Sequence, residues 1–72
     1  MKKVFRMDGL ECANCAAKME KGIAKLKGVN SCTVSFMTQK LTLDADDAEF
    51  DSIVEAAEKL CRKFERHVTI VR

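Results

Sequence analysis

Residues 32–43 read CTVSFMTQKLTL and contain two short stretches in which apolar and polar side chains alternate. Every second residue from 32 to 36 is apolar, and the alternation resumes at Leu41 and Leu43 after residues 37–40. A period of two is typical of a strand with one buried face, and two such strands joined by a short turn form a hairpin. The middle of the chain is therefore predicted to be an antiparallel hairpin.

Amphipathic helices are predicted on both sides of this hairpin, because apolar residues recur there with helical spacing. The first helix is predicted from Cys15 to Lys27, with an apolar stripe of Ala16, Met19, Ile23 and Leu26. Gly28 follows it, as glycine commonly does at a helix end. The second helix starts after a capping Asp46 or Asp47. Its stripe consists of Phe50, Ile53, Val54, Ala57, Leu60, Cys61 and Phe64.

Two further strands complete the pattern, one at each end of the chain. Residues 2–7 form the first and run into the turn signal Asp8-Gly9, and Val68 and Ile70 mark the last. The order strand–helix–strand–strand–helix–strand indicates an α+β, ferredoxin-like sandwich, a four-stranded antiparallel sheet with two helices on one face. The predicted core is Val4, Ala16, Met19, Ile23, Leu26, Val34, Phe36, Leu41, Leu43, Ile53, Val54, Ala57, Leu60, Val68 and Ile70.

Composition limits the classes of function. With 72 residues, 47% of them hydrophobic and 33% charged, residues 1–72 are expected to form a single globular domain. A net charge of +2 and the absence of Tyr and Trp argue against a nucleic-acid partner. No apolar run is long enough for a membrane segment, and the start of the chain does not resemble a signal peptide, so a cytoplasmic location is predicted.

Cys12 and Cys15 are separated by two residues between the first strand and the first helix, so both sulfurs can converge on one ion. Thiolate sulfur is a soft ligand, and the pair favours Cu(I), Zn(II), Cd(II), Pb(II) or Hg(II) over Mg(II) and Ca(II). Cys15 falls in the first helical turn, where we expect the helix dipole to lower its thiol pKa. Gly9 would let the loop bend ahead of the pair.

Two other chemistries use the same spacing. A thioredoxin-type dithiol usually has a proline facing the cysteines, and this chain contains no proline. A closed structural zinc site needs a second cysteine pair or a histidine pair. Cys32 and Cys61 are isolated on apolar stripes, where cysteine usually acts as a small core residue, and Met7 and Met19 are likewise assigned to packing.

The stretch MDGLECANCAAKME, residues 7–20, resembles the signature of heavy-metal-associated domains. Those domains occur as metallochaperones and as cytosolic N-terminal modules of heavy-metal-transporting P-type ATPases. Gly28-Val29, residues 34–36 and residues 38–41 also match family positions, so the resemblance extends over the chain. It implies the ferredoxin-like fold and assigns the metal ligands to Cys12 and Cys15. It also implies transfer of the metal by exchange of ligands with a second cysteine pair.

Glu11, just before the first cysteine, departs from the copper members of that family and resembles the aspartate of zinc, cadmium and lead exporters. Carboxylate oxygen is a poor ligand for Cu(I) but a good third ligand for Zn(II). Glu11 is therefore a candidate third ligand, and its alternative is a solvated loop carboxylate. The bound metal is predicted to be one Zn(II), Cd(II) or Pb(II) ion, with Cu(I) as the alternative.

A second departure lies in residues 62–67, RKFERH, which the fold would place beside the metal loop. Arg66 or Lys63 would offset the charge of bound thiolates. His67 offers a nitrogen ligand, although an exposed loop histidine is the favoured interpretation.

The predicted function is that of a non-enzymatic metal-binding module. Its expected context is the N-terminal domain of a Zn(II)-, Cd(II)- or Pb(II)-transporting ATPase, and the alternative is a free-standing Cu(I) metallochaperone. A dithiol oxidoreductase is a more distant alternative. The expected partners are domains of the ATPase or a metallochaperone with its own cysteine pair. A monomer is expected, and a dimer bridged by metal is the other state left open.

Overall fold

The computed structural model describes residues 1–71, and its elements follow the predicted order. They are β1 (Lys2–Asp8), α1 (Ala13–Ala24), β2 (Val29–Ser35), β3 (Lys40–Ala45), a 3-10 turn (Asp47–Glu49), α2 (Phe50–Phe64) and β4 (Thr69–Val71). Within these described residues, neither helix combines the length and the apolar character that crossing a bilayer requires.

The four strands form one antiparallel sheet in the order β2-β3-β1-β4. Val34, Leu41 and Phe5 lie in one row across three of the strands, and all three side chains are buried. Helices α1 and α2 contact each other and cover that face of the sheet. The predicted ferredoxin-like sandwich is confirmed.

The prediction for β1 was wrong about which face is buried. Val4 was placed in the core, but its side chain is 55% exposed on the open face of the sheet, whereas Phe5 and Met7 are buried. Val4 and Phe5 are adjacent and both apolar, so alternation alone did not decide between the two registers. The Phe5 ring stacks on Phe50 of α2, with centroids 6.1 Å apart, and this contact orients the strand.

The rest of the predicted core is buried, with three exceptions. Leu26, Phe36 and Leu60 are partly exposed and pack against the edge of the core. The core also contains residues that the predicted set omitted: Phe5, Met7, Leu10, Ala45, Phe50 and Cys61. Cys61 is buried and Cys32 packs against the core, which confirms a packing role for both. Met7 and Met19 are buried as expected.

Helix α1 is shifted toward the N-terminus relative to the predicted residues 15–27. It begins directly after Cys12, whose side chain caps the helix, and it ends at Ala24. Beyond that point the Leu26 N–H donates to the carbonyl of Ile23 at 3.0 Å, a shorter spacing than an α-helix uses. The tightened turn ends the helix before the predicted boundary.

Gly22 lies inside α1, where glycine costs about 1 kcal/mol relative to alanine. A Cβ atom at this position would lie 2.9 Å from Cδ2 of Leu60 in α2. The missing side chain therefore provides the space in which the two helices meet.

A carboxylate from a helix occupies each edge of the sheet. On β2, the Val34 N–H donates to Oε1 of Glu20 at 2.8 Å, and on β4, the Ile70 N–H donates to Oε2 of Glu58 at 2.9 Å. Edge strands present N–H groups that lack a neighbouring strand, and a buried unpaired N–H is costly. These two glutamates therefore fasten the helices to the outermost strands.

We predict that Glu20→Ala lowers the free energy of unfolding by about 1–2 kcal/mol, because it leaves the Val34 N–H without its acceptor. Urea denaturation of the metal-free protein measures the change. Glu20→Gln keeps an acceptor oxygen and should recover more than half of the loss. Lys21→Ala, on the exposed side of the same helix, is the matched control. Equal stability of Glu20→Ala and Lys21→Ala would contradict the assigned role.

Candidate metal centre

The two cysteines lie where the β1–α1 loop (residues 9–12) runs beside the α2–β4 loop (residues 65–68). Gly9 makes this proximity possible. Its φ is +81°, and an added Cβ would lie 2.5 Å from the carbonyl oxygen of His67. Both the left-handed backbone conformation and the close approach exclude other residues without distortion. The predicted bend at Gly9 is confirmed, and its second effect is to bring the two loops into contact.

Cys12 is the N-cap of α1. Its backbone is extended, with φ −130° and ψ 120°, and its Sγ accepts a hydrogen bond from the Cys15 N–H at 3.4 Å. The pKa of the Cys12 thiol is lowered, first by this backbone N–H, then by the Cys15 thiol, with a smaller effect from the Asn14 N–H. The helix N-terminus thus stabilises the Cys12 thiolate, as expected where backbone N–H groups lack partners within the helix.

The prediction that the helix lowers the thiol pKa of Cys15 was wrong. The pKa of Cys15 is raised, chiefly because its thiol donates to the Cys12 sulfur, and further because of partial burial and the nearby negative charges of Cys12 and Glu65. Lys18, one turn along α1, opposes these effects. The two thiols are therefore unequal, with Cys12 the more acidic of the pair. The Cys15 Sγ also lies 3.9 Å from the carbonyl oxygen of Phe64, at the end of α2.

Glu65 completes a group of three potential ligands. The Sγ atoms of Cys12 and Cys15 and a carboxylate oxygen of Glu65 all lie within 4.8 Å of one another, and all three residues are partly buried. Two thiolates and one carboxylate suit a divalent ion of intermediate softness, such as Zn(II) or Cd(II). Because none of the three residues is fully buried, an ion can reach them from solvent.

Sequence reasoning did not single out Glu65. It lies in the segment 62–67 that was expected beside the metal loop, but in that segment only Lys63, Arg66 and His67 were predicted to affect the metal. Glu65 is the single acidic residue among those six, and it directly follows the last residue of α2. An acidic residue at that junction was the available signal.

Glu11 is exposed, and the structure does not bring its carboxylate into the group of three. Instead, its backbone N–H donates to Oε1 of Glu65 at 3.2 Å. The side chain of Glu11 as a ligand therefore stays a prediction. His67 is also exposed and lies outside the group; its carbonyl oxygen is the atom that faces Gly9. Lys63 and Arg66 are exposed in the same segment, and their proposed effect on thiolate charge is untested.

The remaining two thiols have a different chemical character. Burial raises the pKa of Cys32 to about 11 and that of Cys61 to about 12. At neutral pH both are protonated and unsuited to metal binding, since the thiolate is the ligand form. The reactive thiols are therefore confined to the Cys12–Cys15 pair.

Comparison with known proteins agrees with this geometry. The profile of the heavy-metal-associated domain matches residues 4–66. The chain is 39% identical over 70 residues to the cadmium, zinc and cobalt-transporting ATPase of Bacillus subtilis, with 97% of this chain and 10% of that protein covered. It is 37% identical over 76 residues to a probable cadmium-transporting ATPase of Staphylococcus aureus, with 94% and 10% covered. The chain thus spans about a tenth of the length of these transporters.

Solved structures show the same fold. The N-terminal domain of a potential copper-translocating P-type ATPase from Bacillus subtilis, in its Cu(I)-loaded state, superposes with a TM-score of 0.68 at 33% identity, covering 82% of this chain and 76% of that one. A CopZ metallochaperone gives a TM-score of 0.73 at 18% identity, covering 99% and 100%. The match over residues 4–66, together with the paired cysteines at the start of α1, leads to one conclusion: the chain belongs to the heavy-metal-associated domain family.

Proposed function

We propose that this domain binds one Zn(II), Cd(II) or Pb(II) ion through Cys12, Cys15 and Glu65, and passes it on or senses it within a metal-transporting P-type ATPase. The convergence of two sulfurs and one carboxylate oxygen within 4.8 Å carries the proposal. A third oxygen ligand adds little for Cu(I), which is satisfied by soft sulfur, but it balances the charge of a divalent ion. The cadmium- and zinc-transporting relatives support the same assignment.

The unequal thiols suggest an order of capture. Cys12 is the sulfur with the lowered pKa, so it is the first ligand to meet an arriving ion. The positive charge of the bound ion then displaces the proton of Cys15, because a coordinating thiol deprotonates. Both sulfurs stay partly exposed, so a thiolate pair on a partner can attack the ion and remove it by ligand exchange. A closed four-ligand site would block that exchange.

The relatives support a cellular setting for the domain. We place the domain on the cytoplasmic side of a membrane transporter, where a metallochaperone or another domain of the ATPase would exchange metal with it. A free-standing Cu(I) metallochaperone is the second candidate, because the Cu(I)-loaded neighbour is 33% identical over most of this chain. Ligand preference separates the two candidates.

Competitive titration of the reduced protein with Zn(II), Cd(II) and Cu(I) tests the ligand set. Glu65→Gln should weaken Zn(II) and Cd(II) binding about 10- to 100-fold and leave Cu(I) affinity within about threefold, because it removes an anionic oxygen ligand but no sulfur. Cys12→Ser should abolish tight binding of all three ions. Retained binding in Cys12→Ser would refute the metal site as a whole.

Glu11→Gln is the matched control in that titration, since Glu11 directly precedes the proposed ligand Cys12 on the same loop but its carboxylate lies outside the group of three. Its Zn(II) affinity should stay within about threefold of wild type. If Glu11→Gln loses affinity and Glu65→Gln does not, Glu11 is the third ligand. If neither changes Zn(II) binding and Cu(I) competes best, the copper metallochaperone becomes the better assignment.

Alkylation of the metal-free protein should show the inequality of the thiols. At pH 7, iodoacetamide should modify Cys12 several-fold faster than Cys15, because iodoacetamide reacts with the thiolate. Cys12 has the lowered pKa and Cys15 the raised one, so a larger fraction of Cys12 is thiolate at this pH. The difference should shrink as the pH rises and Cys15 ionises. Peptide mass spectrometry at several pH values measures both rates, with Cys32 and Cys61 as unreactive internal references. Faster modification of Cys15 at pH 7 would contradict the assignment.

A further inference from the structure

Both polar groups of the peptide between Leu10 and Glu11 form hydrogen bonds with side chains from distant parts of the chain. Its carbonyl oxygen accepts a hydrogen bond from Nε2 of Gln39 at 2.8 Å, and its N–H donates to Oε1 of Glu65 at 3.2 Å. Glu11, which supplies this N–H, directly precedes Cys12. The peptide therefore lies between a residue of the β2–β3 turn (residues 36–39) and a proposed metal ligand of the α2–β4 loop.

Gln39 is itself held firmly. Its Nε2 also donates to the carbonyl oxygen of Phe36 at 2.9 Å. The backbone carbonyl oxygen of Gln39 accepts a hydrogen bond from the Met7 N–H at 2.7 Å. The Gln39 φ of +56° is the one positive value among the described residues other than glycine. A glutamine in this conformation is uncommon and persists when surrounding contacts determine it. Gln39 thus contacts the chain on both sides of Gly9, at Met7 and at Leu10.

We propose that Gln39 is a positioning residue of the metal site, which acts through the Leu10–Glu11 peptide to hold the Glu65 carboxylate beside the two sulfurs. The proposal rests on the proposed function, because it gives Glu65 the role of a ligand. Gln39 touches neither the cysteines nor Glu65 in any hydrogen bond of the described residues. In this proposal, Gln39 acts on Glu65 through the Leu10–Glu11 peptide group.

Two physical effects support this role. A hydrogen bond to a peptide carbonyl polarises the amide, so its N–H becomes a better donor to the carboxylate on the other side. The same bond fixes the orientation of the peptide plane, and with it the direction of the N–H. Without Gln39, the half-exposed Glu65 carboxylate would lose its directed donor and sample other rotamers. A ligand that must first be ordered binds more weakly.

The variant Gln39→Gly separates positioning from general stability. Glycine adopts positive φ freely, so the turn keeps its backbone conformation without the strain that glutamine bears there. The side-chain donor is lost at the same time. We expect the melting temperature of the metal-free protein to stay close to that of wild type, because the relief of backbone strain offsets part of the loss of the two side-chain hydrogen bonds. Thr38→Ala, an exposed neighbour in the same turn, is the matched control.

NMR of the metal-free protein tests the contact without any reference to metal. In wild type, the Gln39 side-chain amide protons should exchange more slowly than those of an exposed glutamine, because both donate hydrogen bonds. In Gln39→Gly, the Glu11 amide signal should shift and its exchange should accelerate, while Thr38→Ala leaves it unchanged. An unshifted Glu11 amide in Gln39→Gly would overturn the proposal.

Zn(II) titration then tests the consequence for the site. Gln39→Gly should raise the Kd for Zn(II) about tenfold in the wild-type background, a typical effect of losing one hydrogen bond to a functional group. In the Glu65→Ala background, the same substitution should change Kd by less than about threefold, because the residue that it positions is gone. Thr38→Ala should leave Kd unchanged in both backgrounds.

The outcomes distinguish this proposal from the proposed function. A tenfold effect in both backgrounds, or none in either, overturns the link between Gln39 and Glu65. If Glu65→Ala alone leaves Zn(II) affinity unchanged, Glu65 is not a ligand, and the positioning role of Gln39 is refuted as well. In that case the NMR result still decides whether Gln39 fixes the Leu10–Glu11 peptide. If the melting temperature of Gln39→Gly falls together with its Zn(II) affinity, the loss of affinity reflects a less stable fold. Gln39 would then have a purely structural role.

Discussion

The close approach of Gly9 to the carbonyl oxygen of His67 is the constraint on which the metal site depends. A Cβ atom at Gly9 would lie 2.5 Å from that oxygen, so two loops from opposite ends of the chain can meet only over a glycine. One loop carries Cys12 into its capping position on α1, and the other carries Glu65. Their contact adds a carboxylate to the cysteine pair and so forms a group of three potential ligands.

The sequence predicted the fold correctly because its helical and strand periods are distinct along most of the chain. It did not predict which side chain is buried where two apolar residues are adjacent. At Val4 and Phe5 both registers satisfied the local pattern, and the stacking of Phe5 on Phe50 decided between them. That contact joins residues far apart in sequence, so periodicity within one strand contains no information about it. Similarly, the end of α1 depended on a tightened last turn rather than on Gly28 alone.

The site was predicted in part, for a related reason. The spacing of Cys12 and Cys15 is local and could be interpreted from the sequence, but Glu65 is placed by the tertiary contact between the loops. The predicted lowering of the Cys15 pKa was wrong because the helix starts two residues earlier than expected. Once Cys12 is the N-cap, its sulfur receives the N–H of Cys15, and Cys15 becomes the donor within the pair. A small error in a helix boundary thus assigned the lowered pKa to the wrong cysteine.

Relatives named for cadmium and for copper transport both resemble this chain, so likeness to them does not determine which metal it prefers, and the proposed preference depends on the ligand outside the cysteine pair. The α2–β4 loop is a suitable place for it, since that loop can present an oxygen ligand without altering the sulfurs. Glu65 lies there, its carboxylate accepts the Glu11 N–H, and the peptide of that N–H is held in turn by Gln39. Hydrogen bonds thus connect three separate segments at the Glu65 carboxylate and the peptide beside it. A carboxylate on a long, flexible side chain would otherwise be a poor discriminator, because the entropy lost on ordering it would offset much of its attraction for a divalent ion. In the proposed site, the hydrogen bonds that order this carboxylate before the metal arrives would make it an effective third ligand.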